Sequence, residues 1–312
     1  MTGLLRGPTL WLTERPPVRR IVTQTPIGRR LVDRFVAGDT LEDGMEAARS
    51  LSERGAAAML DHLGENVESA AQAASATDAY IRALKRIQEA PDIDCNISVK
   101  LTQLGLDTGE ELCADNMERV LEAANGPASS ATLVMIDMEG RQYVDRTLDL
   151  YLSLRTRYPN IGICLQAYLH RTAADVHRVA GPAAIIRMAK GAYLEPPEAA
   201  LQSRSAIRAN FARLCATLLS SGSTVHFATH DPKLVAEAKR FVRARGIPRS
   251  RYEFQMLFGI RRDLQTALVG EGQPVRVYVP YGTQWYPYLT RRLAERPGNI
   301  WFFVSNALRR GG

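Results

Sequence analysis

Several residues of the kind that perform chemistry follow short apolar runs rather than being scattered at random. Lys100 follows NISV, Asp137 and Met138 follow TLVMI, and Gln166 closes GICLQ. Arg187 sits inside AAIIRMA, which ends in Lys190-Gly191-Ala192, and Thr229-His230-Asp231 follows TVHFA. The chain has 35 Arg and only 5 Lys, so two lysines at such run ends are hard to explain as solubility. A lysine held there could attack a carbonyl as a Schiff-base nucleophile. Asp231, directly before Pro232, reads more simply as the cap of a helix with proline at its first position. His62 and His226 read as hydrogen-bonded packing residues. No metal-ligand spacing, G-x-S-x-G elbow or Walker loop occurs in the sequence. Near the end, Arg291 and Arg292 stand side by side with Glu295 one turn on. They fit a surface helix with an i,i+4 pair, or a twin guanidinium clamp on a carboxylate.

What must position these residues is an alternation of strands and helices. Eight strand-length apolar runs begin near Gly55, Asn96, Thr132, Gly162, Ala183, Thr224, Tyr252 and Val275, and helix-period stretches separate them. Eight strand–helix units are the number that closes a (β/α)8 TIM barrel, whose chemistry belongs at the C-terminal strand ends. An open doubly wound sheet is the weaker reading, because no G-x-G-x-x-G follows any strand. We therefore expect an N-terminal helical extension over residues 1–54 and a catalytic barrel over 55–312. The chain has 312 residues, 46% of them hydrophobic and 23% charged, which places it among globular proteins. The net charge of +7 comes from dispersed arginines, so no nucleic-acid footprint is expected. Cys95, Cys113, Cys164 and Cys215 show no paired spacing and read as core thiols in a reducing compartment. The first twenty residues do not read as a secretory signal, and a soluble, cytoplasmic protein is expected.

The blocks DHLGE, SVKLTQLGLD, IDMEG, LQAYLHRT, IRMAKGAYLEP, FATHD, YEFQMLFGIRRDLQ and VRVYVPYGTQWYPYLTRRLAERPGNIWFF occur in that order. Together they resemble the monofunctional proline dehydrogenases, from roughly Arg30 to Phe303. The resemblance implies a distorted barrel that binds FAD, with the last helix over the barrel mouth, and it tips Arg291 and Arg292 towards the clamp. It further implies that Lys100, Arg291 and Arg292 hold the carboxylate of L-proline and that Tyr278 closes the pocket. Asp137 would be the strand-three active-site acid, and Arg187 would lie near the flavin N5 edge. Met138, Gln166, Lys190, Gly191, Ala192, Thr229 and His230 match flavin-contacting positions. Gln255, Leu257 and Glu295 match positions close to the site. Such an enzyme oxidises proline to Δ1-pyrroline-5-carboxylate and passes electrons to a membrane quinone, with at most peripheral membrane contact. The alternative is an aldolase or lyase using a strand-end lysine. Met188 stands where the family usually has leucine, and the stretch after Glu195 matches poorly, leaving flavin contacts there open.

Overall fold

Short runs rich in Val, Ile, Leu and Met form strands because their residues are buried on both faces, the pattern of a parallel sheet covered by helices. In this computed structural model, which describes residues 26–64, 66–125 and 131–295, eight such strands close a barrel. They are β1 (Ala57–His62), β2 (Cys95–Val99), β3 (Val134–Ile136), β4 (Ile161–Gln166), β5 (Ile185–Ala189), β6 (Thr224–Ala228), β7 (Tyr252–Leu257) and β8 (Val275–Tyr281). Every neighbouring pair is parallel, and β8 returns to β1 in the register Met59↔Tyr278 and Asp61↔Pro280.

Among the described residues two helices precede the barrel, α1 (Pro26–Phe35) and α2 (Leu41–Ser52). Thr40 caps α2 through a reciprocal pair with Asp43, and Met45, Ala48 and Leu51 form its buried face. This helix packs against β8 and β1, where a helix following β8 would otherwise lie. The approach is close: a Cβ on Gly44 would stand 3.2 Å from the Tyr281 ring. The connecting helices are α3 (Ala70–Gln88), α4 (Glu110–Ala124), α5 (Val144–Leu154), α6 (Thr172–Val179), α7 (Arg204–Ser220), α8 (Pro232–Ala244) and α9 (Arg262–Gly270). Asp231 caps α8 by accepting from the Lys233 N–H at 3.1 Å, with Pro232 in the first turn, as its sequence position indicated.

The last described helix, α10 (Tyr286–Glu295), is free to leave the shell because α2 occupies that slot. Its Tyr288 and Leu289 join Val32, Phe35 and Val36 of the α1 region and Leu63 after β1 in a small apolar cluster separate from the main core. That arrangement places α10 at the mouth, above the C-terminal ends of the strands. No helix among the described residues is long and apolar enough to cross a membrane.

Candidate active site

The inward-facing side chains of the barrel are mostly not the branched aliphatics that usually fill one. Arg187 on β5 reaches Asp137 beyond β3 and Ser98 on β2, strands that are not its neighbours, so these contacts cross the interior. At the mouth Lys100 Nζ donates to Asp61 Oδ1 at 2.6 Å and lies 3.4 Å from both Asp137 Oδ2 and the Tyr278 hydroxyl. Tyr278 donates to Asp137 Oδ2 at 2.8 Å, and Ser98 donates to Asp137 Oδ1 at 2.7 Å. Arg187 adds a charged bond to Asp137 Oδ1 at 2.5 Å and lies against the Tyr278 ring, 5.4 Å from its centre.

Burial pushes against every charge here, and the partners overturn it. Burial alone would lower the Lys100 ammonium, but Asp61, Tyr278 and Asp137 hold it well above the usual lysine range. Burial alone would raise the Asp137 carboxyl, but Lys100 and Arg187, with hydrogen bonds from Ser98 and Tyr278, keep it below the usual value. Burial and the nearby carboxylates Asp137 and Asp61 push the Tyr278 phenol well up. At neutral pH the three are therefore ammonium, carboxylate and phenol. Groups in these states are suited to binding and orienting a ligand, and a lysine kept so firmly protonated is a poor Schiff-base nucleophile.

A cavity of about 950 Å³, towards the upper end of the range for ligand sites, opens above this cluster. The structure brings all thirteen residues singled out in the sequence to its wall: Lys100, Asp137, Met138, Gln166, Arg187, Lys190, Gly191, Ala192, Thr229, His230, Tyr278, Arg291 and Arg292. Gln255 and Leu257 also line it, whereas the Glu295 side chain lies outside the described residues. The strand ends explain most of this convergence, since Lys100, Asp137, Lys190 and Thr229 each fall within two residues of the last residue of a strand. Gln166 is buried and donates through Nε2 to the Met138 and Glu139 carbonyls at 3.1 and 3.2 Å. Its Oε1 faces no protein donor, a costly state for a buried amide oxygen unless a ligand donates to it. Gly191 has φ +118°, and a Cβ there would fall 2.2 Å from the Tyr168 ring, so only glycine lets the backbone run this close. His230 accepts the Leu257 N–H on Nε2 at 2.8 Å, which leaves its Nδ1 to carry the proton.

Two parts of the site escaped the sequence reading. Asp61, fully buried and the nearest partner of Lys100, stands at the end of the first apolar run, but its type and position there assign it no role. Its place beside Ser98 of β2 and Pro280 of β8 follows from strand register, which the sequence does not show. Gln202, Arg204, Ile207 and Arg208 bring the poorly matching stretch after Glu195 to the cavity wall, and Arg208 pairs with Asp231 at 3.3 Å. The polar end of the fourth apolar run, GICLQAYLH, suggests His170 as a strand-end residue, but β4 stops at Gln166, where Thr172 Oγ1 donates to the Gln166 carbonyl at 2.6 Å and the chain turns. The His170 ring instead lies 2.9 Å from the Pro197 carbonyl, away from the barrel axis.

The family described as proline dehydrogenase matches residues 44–303 of this sequence. The chain belongs to the proline dehydrogenase family. It is 37% identical over 311 residues to the proline dehydrogenase of Deinococcus radiodurans, covering 98% of each chain. It is 35% identical over 309 residues to proline dehydrogenase 1 of Bacillus subtilis, covering 98% of this chain and all of that one. Among solved structures the fold is similar to proline utilization A of Bdellovibrio bacteriovorus inactivated by N-propargylglycine, with a TM-score of 0.78 at 21% identity. That match covers 94% of this chain and 36% of the longer polypeptide. The family is one of flavoenzymes, and nothing in these likenesses supports the aldolase alternative.

Proposed function

We propose that this chain oxidises L-proline to Δ1-pyrroline-5-carboxylate with bound FAD and passes the electrons to a membrane quinone. The observation that carries the reading is the convergence of Lys100, Arg291 and Arg292 with Asp137, Tyr278 and Arg187 on one cavity, in a chain of this family. The residues suit the cofactor. The open Oε1 of Gln166 wants a donor such as a flavin ring N–H, Gly191 permits close backbone approach, and Lys190, Arg204 and Arg208 would oppose a diphosphate. When bound, the flavin supplies the acceptor for the two electrons and hydrogen that leave proline.

The chain's own groups do the rest. Arg291 and Arg292 on α10, with Lys100 below them, take the proline carboxylate. Their fixed fork sets which ring carbon faces the cofactor. Tyr278 floors the pocket, and Asp137, held ionised, favours the ring N–H over other small heterocycles. Arg187, buried beneath the site, places positive charge where negative charge accumulates during the reaction. Phe35 of α1 and Tyr288 of α10 line the cavity beside the two arginines and limit water at the mouth.

Steady-state assays of the FAD-loaded protein test this. L-proline should be consumed with a quinone analogue as acceptor, and pyrrolidine, lacking the carboxylate, should be a far weaker substrate. NAD should not replace the quinone. Efficient NAD reduction, or equal use of proline and pyrrolidine, would overturn the acceptor and clamp assignments respectively.

A further inference from the structure

Below the proposed site lies a second set of buried charges that the reaction does not touch. Glu253 on β7 and Arg276 on β8 form an ion pair at 3.0 Å, both nearly enclosed, and Arg276 continues to Asp94 at 2.9 Å and the Ala58 carbonyl at 2.8 Å. Between this pair and Arg187 stands one side chain, Gln255. Its Oε1 accepts from Arg187 Nε at 2.6 Å, while its Nε2 lies 2.6 Å from Glu253 Oε1 and 2.9 Å from His226 Nδ1.

The chemistry of the neighbours fixes the amide. A guanidinium only donates and a carboxylate only accepts, so the Gln255 oxygen must face Arg187 and its nitrogen must face Glu253. The second amide hydrogen then faces His226 Nδ1, which also lies 3.5 Å from Glu253 Oε1, and this arrangement calls for Nδ1 as the unprotonated ring nitrogen. Burial holds His226 down to about 4, despite Glu253, and Arg276 and His226 hold Glu253 at about 2 against burial, so the ring is neutral and the carboxylate ionised at pH 7.

We propose that Glu253 is a positioning residue: acting through the Gln255 amide, it locks Arg187 in the orientation that meets Asp137. The proposal rests on the reading of Arg187 and Asp137 as active-site residues. Replacing Glu253 by glutamine offers Gln255 a partner that both donates and accepts. The charged anchor on the Gln255 nitrogen is then gone, so the amide can swing away from Arg187 and release the guanidinium from its place beneath the pocket.

The first measurement uses the FAD-loaded wild-type protein labelled with 15N-histidine, with the His226 signals assigned by their loss in His226→Gln. The expected result is a neutral ring protonated on Nε2, with Nδ1 as acceptor. A ring protonated on Nδ1 would overturn the proposal, because it would donate to Glu253 Oε1 itself and compete with Gln255 for the group said to anchor the amide. The second measurement compares Glu253→Gln with Asp94→Asn, which loosens Arg276 without touching Gln255. Glu253→Gln should lower kcat about 10- to 100-fold, as misplacement of a reacting group does. Its proline KM should stay within about twofold, since the carboxylate clamp is untouched. Both nitrogens of His226 should then share the proton. Asp94→Asn should keep wild-type kcat. A folded Glu253→Gln protein with unchanged kcat, or an equal loss in Asp94→Asn, would also overturn the proposal. If Glu253→Gln does not fold, the wild-type tautomer decides alone. A wild-type protein that leaves proline unoxidised would remove the functional reading, while the tautomer would still report the lock.

Discussion

Two regions of this barrel are built on opposite principles. The layer between strands and helices is apolar and dry, with Leu104, Val120, Leu148, Phe211 and Leu218 almost completely buried. The space enclosed by the strands is polar. Three cations, Lys100, Arg187 and Arg276, are paired there with the carboxylates Asp61, Asp137 and Glu253. The shell derives its stability from area removed from water and tolerates small shifts in volume. The interior cannot, because a buried pair stripped of one partner leaves an uncompensated charge. Shell changes should therefore move stability with little effect on chemistry, and interior changes should do both. The charge balance also explains why so many ionised groups can share one enclosed space.

The largest effect should come from breaking the interior at its hub. Lys100→Met leaves Asp61 and Asp137 facing each other and removes one carboxylate contact. It should lower kcat/KM for proline by about 100- to 1000-fold, the cost of truncating one member of a buried charged pair. Phe211→Ala, in the shell, should cost about 3–5 kcal/mol of stability in denaturant unfolding while kcat and KM stay near wild type. Equal kinetic loss in the two variants would erase the contrast.

Acid should probe the interior next. His226 binds its proton in the unfolded chain at about 6.5 but in the folded chain only at about 4, because burial disfavours the charged ring. The unfolded state therefore holds more protons between these values, and stability should fall by up to about 3 kcal/mol as pH drops from 6.5 to 4. Glu253, held at about 2, extends the loss below its unfolded value near 4.5. Unfolding free energies at pH 7 and 4.5 check this, and His226→Gln should flatten the upper part of the window. At the mouth, Arg291→Lys or Arg292→Lys keeps the charge but loses the fork. Proline affinity should fall about 10- to 100-fold, worth roughly 1.5–3 kcal/mol, with little change in melting temperature. Pyrrolidine binding should be the same in variant and wild type. The most local effect is expected for Gly191→Ala, whose methyl group would stand 2.2 Å from the Tyr168 ring at φ +118° and so displace that ring. The backbone strain alone should cost about 1–2 kcal/mol and the displaced ring adds to it, read as weaker FAD retention on dialysis.

The sequence made the two regions unequally legible. Strand–helix alternation was plain in runs such as GICLQ and TVHFA, so the barrel could be read from periodicity, and strand ends then pointed to Lys100, Asp137 and Thr229. The pairing inside was not legible. Nothing local to NISVK or AMLDH says that Lys100 meets Asp61, because that contact depends on the register between β1 and β2. Glu253 and Arg276 look like ordinary exposed positions of alternating strands until closure turns them inward. The two-way choice for Arg291 and Arg292 was likewise undecidable from i,i+4 spacing. It turns on α2 filling the shell position beside β8, which sends α10 to the mouth.

The most direct test of the account is an anaerobic titration of the FAD-loaded protein with L-proline, followed by flavin absorbance, in wild type and Lys100→Met. The account predicts that proline bleaches the wild-type flavin in a saturable way, with Δ1-pyrroline-5-carboxylate as the stoichiometric product. The Lys100→Met protein, carrying the same flavin, should bleach only at far higher proline. A fully loaded wild-type protein whose flavin stays oxidised in saturating proline would contradict it.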